Sequence, residues 1–342
     1  MIIEKTHTRF FLVLCMLLAF VFCVNISLGS VLVPFLEIGK SLLGSASKSS
    51  WQFIIVHYRL PKAITAIIAG GGLAVSGLLM QTLFRNPLAG PFVLGLSSGA
   101  SLGVAILILG AGAIGGVLST LLLSSWSLVI ASALGSFLVL LAVLAITLKI
   151  KDTMAILIIG LMFGSLTGAV VAVLSYFSNA EQLQQFVFWS FGSLGNQSWQ
   201  GIYILIACFF IGTFLSLGSA KALNALLLGE NYAKSMGLKI KRNMLVIIIA
   251  TSILAGGITA FVGPIAFIGL AVPHVTRQFV KTSNHFILIP SVLLSGAILM
   301  LICDTIAQLP GTAYTLPINA ITSLIGAPVV IWLLLRKRKL IF

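Results

Sequence analysis

The sequence predicts an all-α polytopic membrane protein with about ten transmembrane helices. Three observations carry that reading. Only 8% of the 342 residues are charged and 59% are hydrophobic, whereas soluble domains carry about 25% charged residues. A chain this poor in charge cannot cover a soluble surface, so its solvent is lipid. The apolar residues also fall in continuous runs close to the ~20 residues that cross a bilayer, unlike the alternating segments of about ten residues in a barrel. Finally, the cations are spread unevenly among the polar segments that join the runs.

Taken in order, the first run covers 9–30 and follows Lys5 and Arg9. It mimics a signal peptide, but no small-x-small site followed by a polar mature segment comes after it, so it is expected to be retained as the first span. The second run, 61–84, is entered through Arg59-Leu60-Pro61-Lys62 and left through Arg85-Asn86-Pro87-Leu88-Ala89. A third, 92–110, follows at once, and a soluble protein has little use for two long apolar helices on so short a polar hinge. Further runs cover 117–147, 153–177, 199–219, 243–262, 264–281, 287–309 and 318–335. The 117–147 run is long enough to include an interfacial turn. Gly95, Gly99 and Gly103 share one helix face, as do Gly160, Gly164 and Gly168. Such stripes let helices approach closely, and internal packing is the expected use. The longest segments between runs, about 31–60, 178–198 and 220–242, contain no soluble domain or low-complexity linker, so the whole chain, 1–342, is read as a single transmembrane domain.

Charge fixes the expected orientation. With the N-terminus inside, the inner segments hold Lys5, Arg9, Arg85, Lys149, Lys151, Lys221, Lys234, Lys239, Lys241, Arg242, Arg277, Lys281 and the tail Arg336–Lys339. The outer segments hold only Lys40, Lys48, Arg59 and Lys62. This is the positive-inside bias, and it places both termini in the cytoplasm. The net charge of +14 is thereby a topology signal and an attraction to anionic headgroups, not a nucleic-acid footprint.

Chemistry-bearing motifs are scarce. No Gly-x-x-x-x-Gly-Lys-Ser/Thr loop is present, so the chain cradles no ATP phosphate itself. The six acids and the histidines His7, His57, His274 and His285 are dispersed, which gives neither paired carboxylates nor a metal cluster, and no catalytic residue is assigned. Cys15, Cys23, Cys208 and Cys303 all lie in predicted spans without metal-ligand spacing and read as small apolar fillers. Polar groups inside spans are costly, and Asp304 is the clearest of them. It serves either as a local cap or hydrogen-bonding group, or as a proton or cation relay. Gln81, Asn86 and Pro87, at the inner end of the second span, either line a pathway or satisfy one another's backbone. The inner segment 220–242 starts apolar, breaks at Gly229-Glu230, forms a short amphipathic stretch and stops at Gly237, which suits a left-handed cap.

Four blocks, in order, resemble the FecCD-type permeases of ABC importers for iron–siderophore, haem and cobalamin. They are Arg59–Lys62 through Arg85–Ala89 to Gly95–Ala100; Leu228–Gly237; Gly263–Arg277; and Asp304 with Leu316–Thr322 and Gly326-Ala327-Pro328. The resemblance covers nearly the whole chain and implies a type II ABC importer permease, with no enzymatic activity of its own. It implies a homodimer with a second copy of the chain in the bacterial inner membrane. Two ABC ATPase subunits, which bind ATP and Mg, would sit beneath it, and a substrate-binding protein would deliver a metal chelate from outside. Leu228, Gly229, Glu230, Ala233, Lys234, Ser235 and Gly237 would form the ATPase-coupling segment. Arg59, Lys62 and Gln308 would belong to the binding-protein docking face, and Gln81, Asn86, Pro87 and Asp304 to the pathway and its gates. The chain departs from the family pattern at four places. Gln308 replaces a basic residue, Thr315 a glutamate, Asn319 a glycine and Gly90 an acid. The alternatives are cobalamin as cargo, a proton-coupled secondary carrier using Asp304, or a passive channel-like protein.

Overall fold

The computed structural model describes residues 2–92, 95–110, 124–147, 153–195, 197–312 and 314–335. These residues form helices and connecting turns, with no strand among them. The first helix, α1, is Ile2–Ser27. Two short helices follow, α2 (Phe35–Leu42) and α3 (Ser49–Ile54), and a π-helical turn at Ile55–Arg59 joins α3 directly to α4 (Leu60–Leu83). Next come α5 (Leu96–Gly110), α6 (Ser125–Thr147), α7 (Thr153–Phe177), α8 (Ala180–Ser190) and α9 (Trp199–Gly218). A hairpin of α10 (Ala220–Leu227) and α11 (Glu230–Ser235) leads to α12 (Ile240–Val262), α13 (Ile268–Val280), α14 (His285–Ala307) and α15 (Ile318–Leu335).

Among the described residues, seven helical segments are long and apolar enough to cross a membrane. The shorter apolar helices α5 and α15 fall on two further expected spans. The start of the 117–147 run, through residue 123, lies outside the described residues, as do the inner cations Lys149 and Lys151 and the tail Arg336–Lys339. The eighth run differs from expectation. Instead of a helix over 264–281, the chain stays irregular from Gly263 to Phe267 and becomes helical only at Ile268. Gly263 (φ 76°) and Phe267 (φ 66°) hold left-handed conformations on either side of Pro264, so the helix cannot start earlier. Thirteen residues rise only about 20 Å, too short for a full crossing. Irregular backbone at membrane depth is tolerated where protein covers it, and here Asn319 on α15 accepts a hydrogen bond from the Ala266 amide at 3.0 Å.

The core is built around α4, which packs against α14, α12, α13 and α9 and is buried along nearly its whole length. Its closest neighbour is the antiparallel α14. A methyl group on Gly70 would strike the Gly296 carbonyl, and one on Gly296 would strike the Gly70 carbonyl. Backbone therefore meets backbone at the middle of the pair. The two glycine stripes behave differently. Gly99 and Gly103 press against Gly135 and Ala131 of α6, while Gly168 faces open space. In outline, α4 and α14 form a central rod with polar groups gathered at both ends.

Candidate functional site

We call the end carrying Arg59, Lys62 and Asp304 outer, and the end carrying the α10–α11 hairpin inner, following the expected orientation. The outer end converges on Asp304, in the last turn of α14. Its carboxylate is only 2% exposed and pairs with the Lys62 ammonium of α4 at 3.0 Å. Its Oδ2 accepts from Asn25 of α1 at 2.9 Å and from Gln308 at 2.7 Å. A buried charge needs both an ion partner and hydrogen bonds, and Asp304 has them. Three of the residues singled out by sequence, Lys62, Asp304 and Gln308, thus meet at one point. Of the two readings of Asp304, the geometry supplies the hydrogen-bonded, charge-paired one, since both carboxylate oxygens are engaged.

Arg59, expected on the docking face, is turned into the protein. It is 8% exposed, and its guanidinium donates to the Ile26 carbonyl at 2.6 Å, to the Ser27 carbonyl at 2.9 Å and to the Val31 carbonyl. The last carbonyls of a helix lack intrahelical partners and carry partial negative charge. Arg59 therefore caps α1 and the turn after it. Gly29 leaves room for this, because a Cβ there would lie 2.7 Å from the Arg59 Nη2.

Beside this cluster lies an outer cleft of about 480 Å³, lined by Tyr58, Lys62, Phe188, Gly192, Asp304 and Pro317. A second hollow of about 710 Å³ opens beneath α8 among Glu181, Gln185, Trp189 and Phe261. Helix α8 begins with a capping box, in which Asn179 Oδ1 accepts from the Gln182 amide at 2.9 Å. The outer loop is closed by Glu37 on α2. Its carboxylate accepts from Lys40 Nζ at 2.9 Å, the Ser47 amide at 2.9 Å and the Ser47 hydroxyl at 2.8 Å. The Lys40 hydrogen bond, followed by those of Ser47, holds the Glu37 carboxyl down to about 2.

The inner end is organised by the turn that leaves α4. Asn86 Oδ1 accepts from the Leu88 amide at 2.8 Å, and the Pro87 carbonyl is 2.7 Å from His274 Nε2 of α13. Gln81, fully buried, donates from Nε2 to the Leu270 carbonyl at 3.2 Å. Arg85, in a left-handed conformation (φ 46°), reaches across to the Leu226 carbonyl at the end of α10. The expected coupling segment is a pair of short helices hinged at Gly229 (φ 120°). It stops as expected, with Gly237 (φ 81°) donating to the Lys234 carbonyl and Leu238 to the Ala233 carbonyl. Ala233 is buried beneath it, while Leu228, Tyr232 and Met236 are exposed. Tyr232 and Met236 carry no role by sequence, because residue type does not reveal exposure.

His285, which by sequence is only one of four dispersed histidines, and Asn224, to which the sequence assigns no role, meet at this end. His285, at the start of α14, is fully buried. Its Nδ1 lies 2.7 Å from Asn224 Oδ1 on α10, and its Nε2 lies 2.9 Å from Thr82 Oγ1 on α4. An amide oxygen only accepts, so Nδ1 carries the proton and Nε2 accepts from the Thr82 hydroxyl. No sequence spacing points to this trio, because its members sit on three separate helices. Among the described residues, no three His, Cys, Asp or Glu side chains gather where they would hold a metal ion.

Residues 17–336 match the family described as the FecCD transport family. The hemin transport system permease protein HmuU of Yersinia pestis is 35% identical over 318 residues, 92% of this chain and 93% of that protein. The vitamin B12 import system permease protein BtuC of Klebsiella pneumoniae is 36% identical over 288 residues, 84% of each chain. Among solved structures, an inward-facing conformation of a metal-chelate type ABC transporter aligns with a TM-score of 0.83 at 30% identity, over 96% of this chain and 99% of that one.

Proposed function

The chain belongs to the FecCD transport family, and on that premise we propose that it is the transmembrane permease subunit of an ATP-driven importer. Its cargo is a metal chelate, a ferric siderophore or haem, moved across the inner membrane by alternating access. The family match along residues 17–336 is the observation that carries this reading. Cobalamin is the second cargo, favoured by the 36% identity to the vitamin B12 permease.

In this reading two copies of the chain flank the pathway. Two ATPase subunits bind ATP and Mg and dock on the α10–α11 hairpin. The support for that docking is the exposed apolar face at Leu228, Tyr232 and Met236 beside Glu230 and Lys234. A binding protein delivers cargo to the outer face, where Lys62 and Asp304 line the cleft and Gln308 donates to Asp304. Arg59 serves that face indirectly, by fixing the loop after α1. Gln81, Asn86 and Pro87 shape the inner gate, where α4 gives way to α5. The cation asymmetry supports cytoplasmic termini. Cargo and ATP act by binding the outward- and inward-open states unequally.

The test is uptake into proteoliposomes holding this chain with its ATPase and binding protein. Labelled ferric siderophore, haem and cobalamin are compared with and without ATP. ATP-dependent uptake of one cargo is expected, and uptake driven by a pH gradient alone would sink the reading. Within that assay, Glu230→Ala should leave the dimer assembled but lower coupled ATP hydrolysis. Normal transport by that variant would remove Glu230 from coupling.

A further inference from the structure

The inner end holds a hydrogen-bond chain that crosses four helices. Arg277 Nη2 on α13 donates to Thr82 Oγ1 on α4 at 3.4 Å. The Thr82 hydroxyl donates to His285 Nε2 at 2.9 Å, and His285 Nδ1 donates to Asn224 Oδ1 at 2.7 Å. Asn224 Oδ1 also accepts from the His285 backbone amide at 2.9 Å, and Asn224 Nδ2 donates to Asn284 Oδ1 at 3.0 Å. We infer that Asn224, His285 and Thr82 form the link through which movement of the α10–α11 hairpin is passed to α4 and α14. The inference rests on the importer reading above and adds positioning residues to it.

Three physical points carry it. First, Asn224 sits on the hairpin itself, four residues before the exposed Leu228. Thr82 and His285 belong to the two helices of the central rod. Second, Thr82 and His285 are fully buried, so no water stands ready to replace a broken bond. Apolar contacts can slide past one another, whereas buried directional bonds resist a change of register. Third, α4 and α14 are locked to each other beyond the link. Their backbones touch at Gly70 and Gly296, and Lys62 pairs with Asp304 at the far end. A displacement delivered to Thr82 and His285 is therefore carried to the outer cleft. Helix capping explains only part of the arrangement. The Asn224 bond to the His285 amide satisfies one orphan N–H, but the two ring contacts cap nothing.

The experiment measures cargo taken up per ATP hydrolysed in proteoliposomes containing the whole transporter. Thr82→Val and Asn224→Leu remove the link from different helices at nearly constant volume. Both should assemble and hydrolyse ATP while uptake per ATP falls by about five-fold or more, the scale of a site-to-site coupling energy. Thr82→Ser and Asn224→Asp keep the hydroxyl or the accepting oxygen and should restore the ratio. An unchanged ratio in Thr82→Val and Asn224→Leu would overturn the inference while leaving the importer reading intact. Loss of assembly in both would reduce the link to packing and overturn it equally. If the unsubstituted chain gave no ATP-dependent uptake, the importer reading itself would fall, and the inference with it.

Discussion

The two ends of the α4–α14 pair hold the same helices together by different chemistry. The outer end uses charge, with one buried acid, Asp304, answered by Lys62, Asn25 and Gln308. At the inner end no acid takes part, and the joint is made by a hydroxyl, an imidazole and an amide in series. A charged cluster is strong but tolerant of direction, because ion pairing falls off slowly with angle. The inner chain, into which Arg277 also donates, is directional, and each member fixes the next. The comparison teaches that the outer joint is built to hold and the inner one to transmit.

The largest expected effect lies at the outer joint. Asp304→Ala strands the Lys62 ammonium, whose side chain is 22% exposed, and should cost about 3–5 kcal/mol of stability. Thermal unfolding in detergent reads this out, and a loss below about 1 kcal/mol would mean that the joint is not ionic. Next comes the middle of the rod. Gly70→Ala drives a methyl into the Gly296 carbonyl, which should cost about 1–3 kcal/mol and loosen the pair. No loss there would break the picture of one rigid unit joining two ends. Arg59→Met keeps the packing but strips three carbonyls of their donor. A loss on the order of 1 kcal/mol is expected, with faster amide exchange after α1. The smallest effect is on pH response at Glu37. Its carboxyl sits at about 2, below its ordinary value. The bonds to Lys40 and Ser47 therefore stabilise the loop fully above that ordinary value and are lost as pH falls towards about 2. Protection of the Ser47 amide should follow that course in the native chain and not in Glu37→Gln.

Much of the fold was legible because lipid imposes a simple rule. Long apolar runs must become helices, and nine of the ten runs coincide with a helix over their described residues. What stayed hidden depends on distance or on small polar segments. The partner of Asp304 was unreadable because Lys62 lies on another helix, 242 positions away. Helices α2, α3 and α8 were missed because they are short and lie in segments read only as polar connections. The 264–281 run misled because hydropathy does not register the left-handed backbone at Gly263 and Phe267. Of two identically spaced glycine stripes, one presses on α6 backbone while the other meets Ser98 at Gly164 and open space at Gly168, since spacing says nothing about what lies opposite. Asn319, noted only as a departure from the family pattern, turns out to hold the broken segment through Ala266.

The spacing of the two joints along the rod has a consequence for the membrane around it. His285 and Asp304 lie nineteen residues apart on α14, about 29 Å along the axis. Lys62 and Thr82 lie twenty apart on α4, about 30 Å. Both helices thus mark out the thickness of a bilayer's hydrocarbon core, about 30 Å. Backbone meets backbone between the joints at Gly70 and Gly296, which holds the two intervals side by side. The rod therefore acts as a gauge of bilayer thickness. A thinner or thicker lipid layer has to be accommodated by tilt of the whole pair or by the lipid itself.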